Sequence, residues 1–289
     1  MTPYKLCALT LLTLGFSISP SLVLAAQDYG NCTGFITAVP AVITTQGTWC
    51  LKQDVATSIS TGAAITINTN NVTLNCNNFK LGGLAAGLGT QADGISANNR
   101  SNLTVRKCNI RGFYRGVFFV GSTGGHTVED NRFDGNTYAG LVLEGNGSVV
   151  QRNRVFDTGG TTQVPQDAYG IIADFSVDLL DNTVSNVVAT SGDGGNAVGI
   201  YTTSNLSGRI IGNGVRGILQ DGGGTISGIY NAASDRISLR NNDLVGDAGA
   251  GSVGLFCSGS NGRSRDNMIS GFATAATGCN DSGGNAVIP

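Results

Sequence analysis

Short runs in which apolar and polar residues alternate recur along this chain, separated by turns rich in Asn, Gly, Asp and Ser. Alternation with period two predicts strands that bury one face. No stretch of about a dozen residues carries a helical apolar period, which argues against helical crossovers between parallel strands. Two columns organise the runs. The first is Gly followed by an apolar residue that opens a strand: Gly94-Ile95, Gly116-Val117, Gly140-Leu141, Gly170-Ile171, Gly199-Ile200, Gly228-Ile229 and Gly254-Leu255. The second is Asn, one residue, then an apolar residue: Asn77-Phe79, Asn131-Phe133, Asn153-Val155, Asn182-Val184, Asn213-Val215, Asn242-Leu244 and Asn267-Ile269, with Cys108-Ile110 in the remaining place. The columns alternate without a skip from residue 77 to residue 269, at irregular periods of 22 to 31 residues.

A repeat of this kind is a solenoid in which each period is one coil and insertions fall in loops. Each period holds two or three strands of about five residues, such as Val105–Ile110, Val117–Val120 and Leu141–Glu144. Strands that return after every coil pair in parallel with a rise of about 4.8 Å, and eight or nine coils make a rod about 40 Å long. The fold class is therefore all-β, a right-handed parallel β-helix built as a single-stranded solenoid. The Asn column suits a tight bend. Its amides can pass hydrogen bonds from coil to coil, and Asn tolerates the left-handed backbone of a sharp turn.

Composition supports this picture. Gly is 44 of 289 residues, which disfavours helices, and 40% of residues are apolar, which disfavours disorder. Lys5, the apolar runs Leu9–Leu14 and Leu22–Leu24 and the small residues Ala25 and Ala26 read as a secretory leader. Boundaries then fall at 1–26 for the signal peptide, 27–60 for an N-terminal cap with the first strands, and 61–289 for the β-helix. Without Lys5 the chain has sixteen basic and nineteen acidic residues. It has no basic run of the kind nucleic acid requires, and no later segment long and apolar enough to span a membrane. The expected location is secreted, periplasmic or cell envelope. Six cysteines remain after Cys7, an even number that suits disulfides in an exported chain. Cys76 and Cys108 fall in neighbouring coils, Cys257 and Cys279 are one short coil apart, and Cys32 and Cys50 are left to staple the cap.

The repeat, together with Gly47-Thr-Trp-Cys-Leu-Lys52 and the run Ala64–Gly83, resembles bacterial right-handed parallel β-helix repeat proteins of the pectin-lyase-like superfamily. The resemblance covers about residues 40 to 285. It implies a protein that binds and in some members cleaves polysaccharide, as a polysaccharide lyase or glycoside hydrolase. Non-catalytic envelope and adhesive proteins share the fold, so activity does not follow from it. The superfamily's polygalacturonase pattern of Asn-Thr-Asp, paired Asp, Gly-His-Gly and Arg-Ile-Lys is absent, and Glu129-Asp130 is the only adjacent acid pair. Gly249–Gly254 matches GxGxxG but opens a strand of the repeat, so it is a turn. The only histidine, His126, sits in a Gly-rich loop with no evident partner and reads as solvated, which excludes a multi-histidine metal site.

Candidate chemistry lies on one face. If the residue after each column Gly points inward, the next points outward. That outward column reads Ser96, Phe118, Val142, Ile172, Tyr201, Tyr230, Phe256, apolar where polar residues belong. Two residues further, the second outward column contains Glu144 and Asp174. Tyr201, Tyr230 and Phe256 are the candidate substrate-binding residues. Glu144 and Asp174 are the candidate catalytic acids, or ligands for calcium, the one cofactor left open. The competing structural expectation is that Thr158–Ala168 or Ala189–Ala197 folds over the stripe and buries it. A further outward column, Lys107, Asp130, Arg152 and Asp181, alternates in sign and predicts a ladder of ion pairs.

Overall fold

In the computed structural model, described for residues 29–190, 195–203, 207–220, 222–232, 237–247, 249–259 and 262–288, the chain winds as a parallel solenoid with three sheets. Each coil contributes one strand to sheet I, then sheet II, then sheet III; one coil reads Thr127–Glu129, Arg132–Asp134, Ala139–Glu144. Sheet I has eleven strands and sheets II and III ten each, all paired in parallel with their copies in neighbouring coils. Among the described residues the only helical element is a 3₁₀ turn at Leu84–Ala86. The leader assigned to 1–26 lies outside the described residues. Strands at Gly34–Ile36, Ala41–Ile43 and Gly47–Leu51 already belong to sheets I, III and I, so ladder pairing begins within the 27–60 region.

The interior is filled by stacked columns, one residue per coil. Val105, Val128, Val150, Leu179, Ile210 and Leu239 stack in sheet I, and Ile110, Phe133, Val155, Val184, Val215 and Leu244 in sheet II, all buried. The Gly column has a steric cause. A Cβ on Gly140 would lie 2.4 Å from Val155 Cγ1, and one on Gly170 would lie 2.4 Å from Val184 Cγ1. Sheet III approaches sheet II so closely at its entry corner that no side chain fits beneath it.

The corner between sheets I and II carries the asparagine ladder. Asn131, Asn153, Asn182, Asn213, Asn242 and Asn267 each donate Nδ2 to Oδ1 of the next member at 2.9–3.1 Å. Asn285 ends the row at the C-terminal side. Each Nδ2 also donates to a carbonyl of the preceding coil, such as Asn182 to Val150 at 2.9 Å, and each Oδ1 also accepts a backbone amide. All donors and acceptors of the buried amide are used.

Three details correct the sequence reading. The left-handed residue of the bend is the one before the ladder Asn: Lys107, Asp130, Arg152, Asp181, Asn241 and Asp266 have φ between 52° and 55°. That bend divides the expected strand Val105–Ile110 into Leu103–Arg106 and Asn109–Arg111. In the coil of Asn77 the bend is two residues longer, so Leu81, rather than Phe79, faces Ile110. Cys108 takes the ladder position, and its amide donates to Asn131 Oδ1 at 3.0 Å. Its sulfur is bonded to Cys76. The structure also contains Cys32–Cys50 and Cys257–Cys279.

Candidate functional site: the aromatic face of sheet III

The register of sheet III puts Phe118, Val142, Ile172, Tyr201, Tyr230 and Phe256 in one column, each opposite the next. Val142 is buried and the others are half-buried. Tyr201 and Tyr230 have ring centres 5.4 Å apart, and Tyr230 and Phe256 4.5 Å. The row continues beyond the residues singled out from sequence. Tyr169, Tyr138 and Tyr114 extend it through centroid spacings of 5.5, 5.4 and 4.6 Å. Six rings on six successive coils thus form one ribbon along the rod. The three additional tyrosines stand one or two residues before the column Gly of their coils. Tyr114 and Tyr138 reach the row from the corner between sheets II and III, which strand alternation does not describe, and Tyr169 reaches it from the second residue of its strand Ala168–Asp174. A tyrosine recurring just ahead of the Gly was the available signal.

Two segments are the candidates for covering the stripe. Thr158–Ala168 folds back along the corner to the loop around residues 88–91. Thr162 N donates to Leu88 O at 3.3 Å, Gln163 Nε2 to Gly89 O at 3.0 Å, and Gln91 Nε2 to Gln163 Oε1 at 2.6 Å. Its far end places buried Asp167 against Tyr169, whose hydroxyl donates to Asp167 Oδ2 at 3.2 Å. The second segment, 189–197, lies partly outside the described residues. Its Asn196 continues a polar rail beside the rings. Asn196 N and Nδ2 donate to Asp167 Oδ1 at 2.7 and 3.1 Å, and Asn196 Oδ1 accepts from Thr225 N and Oγ1 at 2.9 and 2.7 Å. Between rail and rings lies a groove of about 320 Å³, lined by Tyr169, Asn196, Val198, Tyr201, Thr225 and Tyr230.

Burial pushes the hydroxyls of Tyr114, Tyr138, Tyr169 and Tyr201 upward, Tyr138 to about 12, with Tyr169 raised further by burial and then by the Asp167 charge. They are neutral hydrogen-bonding groups at any physiological pH. At the N-terminal end of the ribbon, Arg115 makes a bidentate pair with buried Asp93, at 2.7 and 3.1 Å. Its guanidinium lies 3.3 Å over the Phe118 ring and 5.5 Å from Tyr114. Burial raises the Asp93 carboxyl, and Arg115 opposes the rise.

Glu144 and Asp174 are paired in register on neighbouring strands, at the exit end of sheet III. Each carboxylate holds a turn: Glu144 Oε2 accepts from Gly121 N at 3.1 Å, and Asp174 Oδ1 from Phe175 N at 2.7 Å. Among the described residues no group of three His, Cys, Asp or Glu side chains is arranged to hold a metal. His126 is buried, not solvated. Its Nδ1 accepts from Leu103 N at 3.3 Å, and burial lowers its pKa to about 4. The predicted charge ladder reduces to one strong rung. Arg152 pairs bidentately with Asp130 and also reaches Glu129.

A family model described as the right-handed beta helix region matches residues 61–244. The chain belongs to this family. Among solved structures, the Dettilon tailspike protein resembles this β-helix protein with a TM-score of 0.59 at 17% identity, over 88% of this chain and 60% of that one. The tailspike protein of E. coli bacteriophage HK620, solved in complex with a pentasaccharide, gives 0.48 at 12% over 84% and 60%. The A-module of the Azotobacter vinelandii mannuronan C-5 epimerase AlgE6 gives 0.39 at 14% over 84% and 81%. At these identities the likeness is one of fold alone, the β-helix. The chain spans about 60% of the length of the tailspikes it matches. Comparison with curated protein sequences finds no match. Among the described residues no helix is long and apolar enough to cross a membrane.

Proposed function

We propose that this β-helix protein is exported and binds an extended polysaccharide along the aromatic face of sheet III. The observation that carries this reading is the six-ring ribbon from Tyr114 to Phe256, left half-exposed beside a hydrogen-bonding rail. A sugar chain needs both surfaces: apolar ring carbons and C–H groups for the apolar faces of pyranoses, and amides, hydroxyls and carboxylates for their hydroxyls. The groove at Tyr169, Tyr201 and Tyr230 offers both within one coil step. The three disulfides suit an oxidising compartment.

Binding without cleavage is the reading we favour, because Glu144 and Asp174 both spend oxygens on turn amides. A Tyr201→Ala/Tyr230→Ala variant should keep its melting temperature within a few degrees and lose retention on the polysaccharide that the parent protein retains. Loss of fold without any parent retention would overturn the proposal. Release of reducing ends or unsaturated products by the parent, abolished in Glu144→Gln, would establish catalysis instead of binding alone.

A further inference from the structure

The chain has seven tyrosines, and five of them stand in a single file. Tyr114, Tyr138, Tyr169, Tyr201 and Tyr230 follow one another coil by coil, with ring centres 4.6, 5.4, 5.5 and 5.4 Å apart. All five are half-buried, so each leaves part of its ring in solvent. Exposure alone does not call for the hydroxyl. Phe35, Phe118 and Phe156 are partly exposed and carry none, and Phe256 ends the same row without one. Apolar ring contact therefore does not explain why the phenol recurs. What a phenol adds to a phenyl ring is that it can lose one electron together with its proton.

The middle ring has an acceptor for that proton in place. The Tyr169 hydroxyl donates to Oδ2 of buried Asp167 at 3.2 Å. Asn196 holds the other oxygen, donating N and Nδ2 to Oδ1 at 2.7 and 3.1 Å, which keeps Oδ2 turned to the phenol. Tyr169 touches both Tyr138 and Tyr201, so an electron vacancy formed on it crosses to either neighbour through one ring contact. Tyr201 and Tyr230 are the pair best placed to form a bond. They are directly opposite on neighbouring parallel strands, their planes are 35° apart, and both line the open groove of sheet III. The strands hold the two rings together at a concentration that no pair of free phenols reaches. Rotation about the side-chain bonds at the surface brings their ring edges into contact.

We propose that the tyrosine file is an oxidative cross-linking site, at which a haem peroxidase and hydrogen peroxide join Tyr201 to Tyr230 as dityrosine. Two phenols each give up one electron and one proton, and the peroxide takes up both pairs to become two waters. The two phenoxyl radicals form one carbon–carbon bond between ring positions next to their oxygens. The hydrogen displaced from each of these carbons moves to the phenoxyl oxygen, which restores both phenols. Asp167 is a positioning residue: it receives the proton of Tyr169 when that ring is oxidised and returns it when Tyr201 refills the vacancy. The product is a covalent tie between two coils on a face where the described residues place no disulfide. The inference does not rest on polysaccharide binding.

The test treats the full protein, at low concentration, with a haem peroxidase and hydrogen peroxide and maps the peptides of the monomer by mass. The expected product is a monomer two hydrogens lighter, with dityrosine fluorescence and with the peptides of Tyr201 and Tyr230 joined. Tyr230→Phe should remove this bridge. Tyr169→Phe and Asp167→Asn should each slow it by about tenfold or more, the scale of a lost proton acceptor. The double variant should be no slower than Tyr169→Phe alone, a coincidence that loosened packing at Asp167 would not produce. Tyr29, whose ring lies against Phe35 away from the file, is the internal control. Four outcomes overturn the proposal: no bridge within the monomer, bridges only between molecules, a bridge through Tyr29 in place of the Tyr201–Tyr230 bridge, or an unchanged rate in Asp167→Asn.

Discussion

The two corners that flank sheet II are built on opposite rules. The corner from sheet I is a fixed bend of one left-handed residue and one buried Asn, repeated from Asn131 to Asn267. The corner into sheet III varies from the three residues 112–114 to the ten residues 83–92. The first corner cannot lengthen without breaking an amide chain in which every member serves its neighbours. The second has no such chain, so it absorbs insertions, and those insertions supply Tyr114, Tyr138, Asp167 and Asn196 to the aromatic face. Rigidity at one corner holds the register that lets the other corner diversify.

Breaking the fixed corner should cost most. Asn182→Ala removes two donated and two accepted bonds and leaves buried partners in Asn153, Asn213 and Val150 unsatisfied. It should destabilise by about 4 kcal/mol in chemical denaturation. A loss below about 1 kcal/mol would mean water replaces the ladder. At the corner from sheet III to sheet I, His126 should make stability pH-dependent. Its folded pKa of about 4 lies below its ordinary 6.5. As pH falls between these values the unfolded chain takes up a proton that the folded chain refuses. Stability should therefore be intact above the ordinary value and fall by about 3 kcal/mol as pH drops toward 4. His126→Gln should flatten that part of the pH curve, and an unchanged slope would refute the assignment.

The entry to sheet III tests the steric account of the Gly column. Gly170→Ala should cost about 2 kcal/mol, since its Cβ would meet Val184 Cγ1 and Gly199 O at 2.4 Å. Pairing it with Val184→Ala should recover part of the loss. The variable corner should tolerate more. Removing residues 162–165 cuts the ties to Leu88, Gly89 and Gln91 but no core contact, so a melting shift of a few degrees or less is expected. Smallest is Arg152→Gln, an exposed pair with Asp130 worth under about 1 kcal/mol, with a difference that vanishes in high salt.

Sequence by itself determined the coil. Each Gly and Asn of the two columns marks a place where the solenoid admits one solution: no side chain under the sheet II–III contact, and a doubly bonded amide at the tight bend. Those demands recur in every coil, so they print a period on the chain. The outward register of Tyr201, Tyr230 and Phe256 followed directly, because strand alternation fixes direction once one inward residue is known. The same logic misplaced Phe79 and left Val105–Ile110 as one strand, since a left-handed bend resets the alternation without a signature of its own. What only the tertiary structure decided was what is assembled across coils at the corners. The union of Tyr114, Tyr138 and Tyr169 with the ribbon and the burial of His126 depend on loop paths and on register between residues tens of positions apart. Local alternation cannot encode these, because they are set by which side chains the neighbouring coils bring to the same height along the rod.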